Sequence, residues 1–498
     1  MDIIKVKKKN HAFLHVDCEP SVANELCDFF TFYVPGYQFM PAYKNKMWDG
    51  KIRLYDTRTK ELYAGLFRYV KEFAGVEGRD YGLELLHDPY YGMPGTESDP
   101  DLSFVKELHL TANDVKIEPR DYQLEAIDYG LKHKNGLLVS PTASGKSLII
   151  YILLRWYLEN RDKNVLLVVP TTSLVEQLYS DFEDYSKYDD FNVEENCHKI
   201  YSGKEKITKK RVVITTWQSI YKLQASWFSN FGMVIGDEAH NFKAKSLISI
   251  MTKLRDAEYR FGTTGTLDGT QTHKLVLEGL FGPAYYVTTT KQLMDKGSLA
   301  DLDISVLLLK YSEQARQAFG KKKYQEEIDY IVAHEKRNKF ITNLALDQDG
   351  NTLVLFQYVE KHGKPLYNMI LDGAHKRRKI FYVSGETGTD TREQVRRITE
   401  NEKNAIIVAS LGTFSTGINI RNLHNIIFAS PSKTQIKILQ SIGRGLRKSD
   451  DGRATRLYDI ADDLHWKSRK NYTLEHAGER IKIYTKERFK YKIYEVEI

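Results

Sequence analysis

The sequence predicts an α/β protein with two tandem parallel-sheet domains. A small α+β domain precedes them and a short C-terminal extension follows, which places the boundaries at 1–110, 111–284, 285–464 and 465–498. Three observations predict this. Residues 136–150 read GLLVSPTASGKSLII: an apolar run, a loop of small residues, then an apolar helical stretch. Short apolar runs suited to buried strands recur at 165–169, 212–215, 233–235 and 259–262, with helix-length segments between them. A second series follows at 352–356, 380–383, 405–409, 425–429 and 456–460. Buried strands separated by helices mark a parallel sheet, whose binding edge lies at the strand C-termini.

Residues 1–110 differ in style. They open on Lys5-Val6-Lys7-Lys8-Lys9, and the apolar spacing over 22–32 suits a helix. Cations and aromatics then interleave through Tyr37, Phe39, Tyr43, Lys44, Lys46, Trp48, Lys51, Arg53 and Tyr55. In their midst, Asp49-Gly50 predicts a two-residue hairpin. Alternating cations and rings suit phosphate contacts combined with stacking on bases, which makes Lys44, Lys46, Trp48 and Lys51 candidate nucleic-acid residues. A solvated basic face over an aromatic core explains the same residues equally well. Segment 88–100 carries Pro, Gly and acidic residues and is expected to be a linker. Between the two strand series, 313–339 predicts a charged helical connector. The tail beyond 465 predicts a helix and a strand packed on the second α/β unit.

At 498 residues the chain has room for about three domains, each with its own core. Its net charge of +7 permits nucleic-acid binding without requiring it. Cys18, Cys27 and Cys197 have no ligand spacing, which argues against a disulfide framework and a zinc site. No apolar run reaches membrane-spanning length, and the N-terminus lacks the apolar core of a signal peptide. The expectation is an intracellular, soluble protein with no membrane partner.

The loop of small residues carries the first chemistry. Ser140, Pro141, Thr142, Ala143, Ser144 and Gly145 let backbone N–H groups wrap a phosphate, and the following helix adds unpaired donors at its start. Lys146 would reach the β- and γ-phosphates of a nucleotide, and the Ser147 hydroxyl would hold Mg²⁺. The strict pattern places Gly where Ser140 stands. Asp237-Glu238-Ala239-His240 follows the apolar run at 233–235. Asp237 can bind the same Mg²⁺, Glu238 can act as general base on the attacking water, and His240 can relay nucleotide state. Thr263-Thr264-Gly265-Thr266 ends another strand and could bond to the acidic cluster. In the second half, Gln440, Arg444 and Arg447 fall at i, i+4 and i+7, which share one helix face. Arginines brought there would stabilise charge on a transferring phosphoryl group.

Taken in order, these pieces resemble the DEAH-type helicases of superfamily two. Arg120-Asp121-Tyr122-Gln123 resembles the adenine-reading motif, with Gln123 on the base. Residues 140–147 resemble motif I, 237–240 motif II, 263–266 motif III and 353–356 motif IV. Pro170 and Thr171 with Gln177 resemble motif Ia, and Thr215 with Trp217 motif Ib. Thr413 and Gly417 resemble motif V, and 440–447 motif VI. The resemblance implies two RecA-like domains, ATP with Mg²⁺ as cofactor, and Pro170, Thr171, Thr215, Trp217 and Thr413 on nucleic acid. The whole chain further resembles a phage branch of this superfamily. That branch implies recombination and repair work on junctions, forks and R-loops, with DNA as partner, RNA in hybrids, and the host cytoplasm as location. Ser140 and Gly236 depart from the pattern without removing a ligating side chain. A duplex translocase that separates no strands, an RNA helicase, and a non-hydrolysing binding scaffold are the rival readings.

Overall fold

The computed structural model describes residues 2–75, 81–86, 100–242, 244–267, 270–319, 322–374, 378–387, 391, 394–395, 398–399, 401–413, 422–430 and 452–498. The chain divides into two compact units, Met1–Ser140 with Gly145–Val287, and Pro141–Ser144 with Thr288–Ile498.

The first unit is built on a seven-stranded sheet. Its strands lie side by side in the order Cys197–Ile200, Val212–Thr216, Asn164–Val169, Phe231–Asp237, Tyr259–Thr264, Asn135–Val139 and Ala284–Tyr286. Every neighbouring pair is parallel. Strands such as NVLLVV at Asn164–Val169 are apolar on both faces because helices cover both faces. Helix Lys146–Asn160 is buried without a break from Leu148 to Arg155. A helix that is apolar all round belongs inside a core rather than on its surface.

The second unit repeats the plan. Its order is Ile380–Val383, Ile406–Ser410, Thr352–Phe356, Asn425–Phe428, Thr455–Asp463, Leu302–Lys310 and Tyr491–Glu497, again all parallel. Numbered by position along the chain, both sheets run 3-4-2-5-6-1-7. The two α/β halves are therefore one topology used twice. Strand Leu302–Lys310 lies between the two strand series, just ahead of the connector at 313–339, where the sequence signals no strand. It is the counterpart of Asn135–Val139, the strand that carries the phosphate loop.

The tail is built into this second unit. Tyr491–Glu497 forms its edge strand beside Leu302–Lys310. Helix Tyr472–Lys486 is pinned to strand Thr455–Asp463 by Arg480, whose Nε bonds both Asp459 oxygens at 2.9 Å. The buried Glu327 carboxylate accepts from Asn471 Nδ2 at 2.9 Å and from Thr473 N at 2.7 Å, which ties the connector to the start of that helix. Arg337, also buried, bonds Asp462 at the end of the same strand at 2.6 Å.

The N-terminal region carries its own five-stranded mixed sheet, in the order Tyr55–Asp56, Glu61–Tyr63, Phe13–Asp17, Asp2–Lys8 and Tyr81–Leu86. Its core runs into that of the first large sheet: Leu66 and Phe67 belong to the same buried cluster as Leu277 and Phe281. The approach is close enough that a Cβ on Gly65 would sit 1.9 Å from the Glu278 carbonyl oxygen. Glu278 itself is buried, and its carboxylate accepts from Tyr69 Oη at 2.5 Å, Arg68 at 3.0 Å and the Ala284 amide at 3.0 Å.

One sequence expectation is corrected here. Asp49-Gly50 does not close a two-residue hairpin. Strand Lys51–Arg53 pairs with Thr31–Tyr33, and the chain between them makes an excursion through the 3₁₀ turn Tyr37–Phe39 and the helical turn Pro41–Lys44. Pro41 starts that turn, as its fixed φ and missing N–H favour. Asp49 is taken up locally by the Lys51 amide at 3.1 Å and Arg53 at 2.5 Å. Gly50, at φ +81°, ends the excursion instead of making the turn. No helix among the described residues is long and apolar enough to cross a membrane.

Candidate nucleotide site and nucleic-acid groove

The phosphate loop leaves strand Asn135–Val139 and enters helix Lys146–Asn160. Ser140 N donates to the Thr264 carbonyl at 2.8 Å, which fastens the start of the loop to the strand beside it. Ala143 and Gly145 turn the backbone with φ of 65° and 80°. Gly145 is required twice over: its φ is left-handed, and a Cβ there would lie 2.3 Å from Gln123 Nε2. Lys146 Nζ donates to the Ser140 carbonyl at 3.1 Å. The Ser147 hydroxyl lies 2.8 Å from that of Tyr185.

Gln123 is buried, and both ends of its amide are engaged. Its oxygen accepts from the Arg120 amide at 2.8 Å, closing the start of helix Asp121–His133, and its nitrogen is 3.4 Å from the Gly145 carbonyl. The Arg120 guanidinium donates to the Tyr122 hydroxyl at 2.8 Å.

Asp237 ends strand Phe231–Asp237. Its Oδ1 accepts from Thr263 Oγ1 at 2.7 Å and from the Glu238 amide at 2.9 Å. Glu238 adopts φ +51°, a left-handed conformation at the turn out of the strand. His240 Nδ1 stands 3.3 Å from Glu238 Oε2 and 3.1 Å from Thr264 Oγ1, and its carbonyl accepts from His273 Nε2 at 2.9 Å. Burial, then the neighbouring Glu238 carboxylate, push the Asp237 carboxyl above its usual range; the Lys146 charge and the Thr263 bond pull it part of the way back. Thr264 therefore touches both the loop, through Ser140, and the acidic turn, through His240. The motifs read separately in the sequence form one bonded set at the C-terminal edge of the sheet.

No group of three or more His, Cys, Asp and Glu residues suited to a metal lies among the described residues. Magnesium does not need one, because it binds through one or two carboxylates with substrate phosphates and water. The donor set fits it: Ser147 Oγ and the Asp237 carboxylate are hard oxygens. Two adjacent carboxylates, one resisting ionisation, are a setting that a divalent cation relieves.

The first unit also carries an open groove of about 640 Å³. Pro170 and Thr171, two of the expected nucleic-acid residues, line it together with Thr216, Gln218 and Ser219. Thr215 and Trp217 do not line it. Thr215 is buried with its hydroxyl on the Thr216 carbonyl at 3.1 Å, and Trp217 packs on the core. The groove also takes Tyr201, Lys204 and Lys206, which the sequence reading passed over. They follow the edge strand Cys197–Ile200, and a basic residue after a short strand carries no signal of its own. In the second unit a cavity of about 410 Å³ is lined by Gln357, Val359, Gly385, Ser410 and Thr413, with Ser410 Oγ donating to Thr413 Oγ1 at 2.7 Å.

Of the N-terminal candidates, Lys44, Lys46 and Trp48 lie on the excursion, and Lys51 opens the strand that follows it. Lys44 and Lys46 are exposed, Lys51 Nζ lies 5.1 Å from the Tyr33 ring centre, and Trp48 Nε1 donates to the Lys51 carbonyl at 2.7 Å. Tyr33 stacks on Tyr37 at 4.7 Å, Tyr37 meets Tyr43 edge-on at 4.7 Å, and Phe39 remains 77% exposed. An aromatic row left open to solvent beside lysines has faces available for a ligand. Gly417, Gln440, Arg444 and Arg447 lie outside the described residues.

Sheet order, phosphate loop and acidic turn define a nucleoside-triphosphatase of the helicase type. Sequence families agree along the length of the chain. "Type III restriction enzyme, res subunit" matches 116–269, "Helicase conserved C-terminal domain" matches 335–449, and "DNA helicase UvsW, N-terminal" matches 2–85. The ATP-dependent DNA helicase uvsW of Enterobacteria phage T4 is 36% identical over 98% of this chain and 98% of its own. The crystal structure of T4 UvsW covers 100% of both chains at 35% identity, with a TM-score of 0.53. More distantly, the DNA 3'-5' translocase XPB2 of Sulfurisphaera tokodaii is 25% identical over 67% of this chain and 80% of its own. The chain belongs to the UvsW family of superfamily-two DNA helicases.

Proposed function

We propose that the chain is an ATP-dependent DNA helicase that works on branched substrates such as forks, four-way junctions and R-loops. The bonded set Ser140–Thr264–His240–Glu238 and Asp237–Thr263 carries the reading. It joins the phosphate loop to a candidate base at one sheet edge, in the same unit as a groove with lysines on its wall.

In this reading Gln123 selects the adenine, and the loop 140–147 with Lys146 binds the phosphates. Ser147 and Asp237 would hold Mg²⁺, which when bound draws charge from the β- and γ-phosphates. Glu238 accepts the proton of the attacking water, and His240 holds the Glu238 carboxylate in place while reporting to Thr264. Gln440, Arg444 and Arg447 serve hydrolysis from the second RecA-like domain. The division 1–110, 111–284, 285–464 and 465–498 then assigns substrate selection to the first segment and the motor to the next two. The grooves at Pro170–Thr171 and at Thr413 grip the strand backbone, where contacts position more than they specify. Lys44, Lys46, Trp48 and Lys51 present cations and rings to the branch, where unpaired bases offer faces for stacking.

A strand-displacement assay on forked DNA, run beside a triplex-displacement assay on linear duplex, tests the proposal. Separation of the forked strands with ATP supports it. Triplex displacement without strand separation identifies a duplex translocase instead.

A further inference from the structure

We infer that Tyr185 is a positioning residue for the nucleotide site: its hydroxyl orients that of Ser147, and its helix links that contact to the nucleic-acid groove. The inference rests on the reading of Ser147 as a magnesium ligand. The two hydroxyl oxygens are 2.8 Å apart. A serine hydroxyl has one hydrogen and two acceptor lone pairs. Given to Tyr185, the hydrogen leaves both lone pairs available, and the oxygen is held by a fixed partner instead of rotating. A cation arriving at a preset oxygen meets less ordering cost than one that must arrest a rotor.

The phenol is itself held. Its ring packs on Tyr151, one turn beyond Ser147 on the same helix, with centroids 5.6 Å apart. Tyr151 is fully buried and accepts from Arg155 Nη1 at 2.9 Å, and Arg155 is paired with Asp189. Tyr185 is the last residue of helix Thr172–Tyr185. That helix begins at the groove. Thr171 caps it by accepting from the Leu174 amide at 3.3 Å, and Pro170, Thr171 and Thr172 line the groove wall. A 14-residue helix is about 20 Å long and moves as a rod. One end therefore lies on the proposed strand-binding surface and the other on Ser147. A phosphate backbone seated at the first end biases the position of the second.

Tyr185→Phe keeps the ring and its packing and removes only the hydroxyl. The test measures binding of a fluorescent, non-hydrolysable ATP analogue by anisotropy, with and without forked DNA. Mg²⁺ is titrated in one arm and removed with EDTA in the other. The expected result is wild-type affinity in EDTA and a Mg²⁺ requirement raised about three- to tenfold, as the loss of one hydrogen bond allows. The gain in affinity brought by DNA should shrink as well. Ser147→Ala is run in parallel. If it leaves the Mg²⁺ dependence unchanged, the assignment of Ser147 fails and the inference with it. If Ser147→Ala loses that dependence while Tyr185→Phe matches wild type throughout, the inference on Tyr185 fails alone. An equal loss with and without Mg²⁺ in Tyr185→Phe would also overturn it, since that marks a packing defect.

Discussion

Thr263 gives its hydroxyl hydrogen to Asp237 at 2.7 Å, across a register in which the two residues are direct partners on neighbouring strands. A hydrogen bond to a carboxylate is worth about 1.5–3 kcal/mol, more than one between neutral groups. Here it fixes the carboxylate assigned to magnesium. Thr263→Ala is expected to lower kcat for ATP about ten- to a hundredfold, with nucleotide binding largely kept. Thr263→Ser should restore most of the rate because it restores the donor. Failure of serine to rescue would mean that the methyl group, and not the bond, is what matters.

Lys146 rests on the Ser140 carbonyl at 3.1 Å, in reach of the loop that it is proposed to serve. Lys146→Ala should cut nucleic-acid-stimulated ATPase by at least about a hundredfold, the scale of losing one preorganised charge contact. DNA affinity without nucleotide should change little, because the groove residues are untouched. Turnover that survives the substitution would remove Lys146 from the site.

Lys44, Lys46 and Lys51 sit on or beside the open aromatic row. Each phosphate contact contributes about 0.9 to the slope of log K against log salt on duplex DNA. Neutralising all three should weaken forked-DNA binding and flatten that slope by up to about 2.7. A slope equal to wild type would return the row to the alternative of a solvated basic face.

His11 predicts a pH effect at the docking face of the N-terminal region, where its amide donates to the Arg255 carbonyl at 3.0 Å. Burial first, and the Lys8 charge next, lower its pKa from 6.5 to about 4. The folded protein keeps this imidazole neutral while the unfolded chain takes up the proton. The stability it contributes is thus complete above pH 6.5 and is lost as the pH falls from 6.5 toward 4. His11→Gln should flatten that part of a plot of urea midpoint against pH. An unchanged plot would show that other groups govern the acid limb.

How much of this could be read from the sequence depended on how narrowly the chemistry constrains the residues. The strand, loop and helix over 135–160 were legible because an apolar run, a loop of small residues and a second apolar stretch follow one another there. Asp237 and Glu238 stood out because the pair follows an apolar strand downstream of the small-residue loop in the same α/β unit. Strand Leu302–Lys310 was not, although it is the counterpart of the loop strand. It ends in Lys310-Tyr311 with no loop of small residues to announce it, and Asp303 and Ser305 interrupt its apolar run. The Asp49-Gly50 turn misled because a proline eight residues earlier had already committed the chain to a helical turn. Tyr201, Lys204 and Lys206 reach the groove through a sheet crossover that local pattern does not encode. Tyr185 meets Ser147 across 38 residues, a pairing that only the packing of two helices creates.

The central claim is a motor that hydrolyses ATP in response to branched DNA. Steady-state ATPase with single-stranded, duplex, forked, four-way and RNA-containing activators tests it most directly, with strand separation followed on the same substrates. The account predicts low turnover without nucleic acid, the strongest stimulation by forked and four-way DNA, and strand separation that stops when a non-hydrolysable analogue replaces ATP. Turnover indifferent to nucleic acid, or strands separated equally well without hydrolysis, would contradict it.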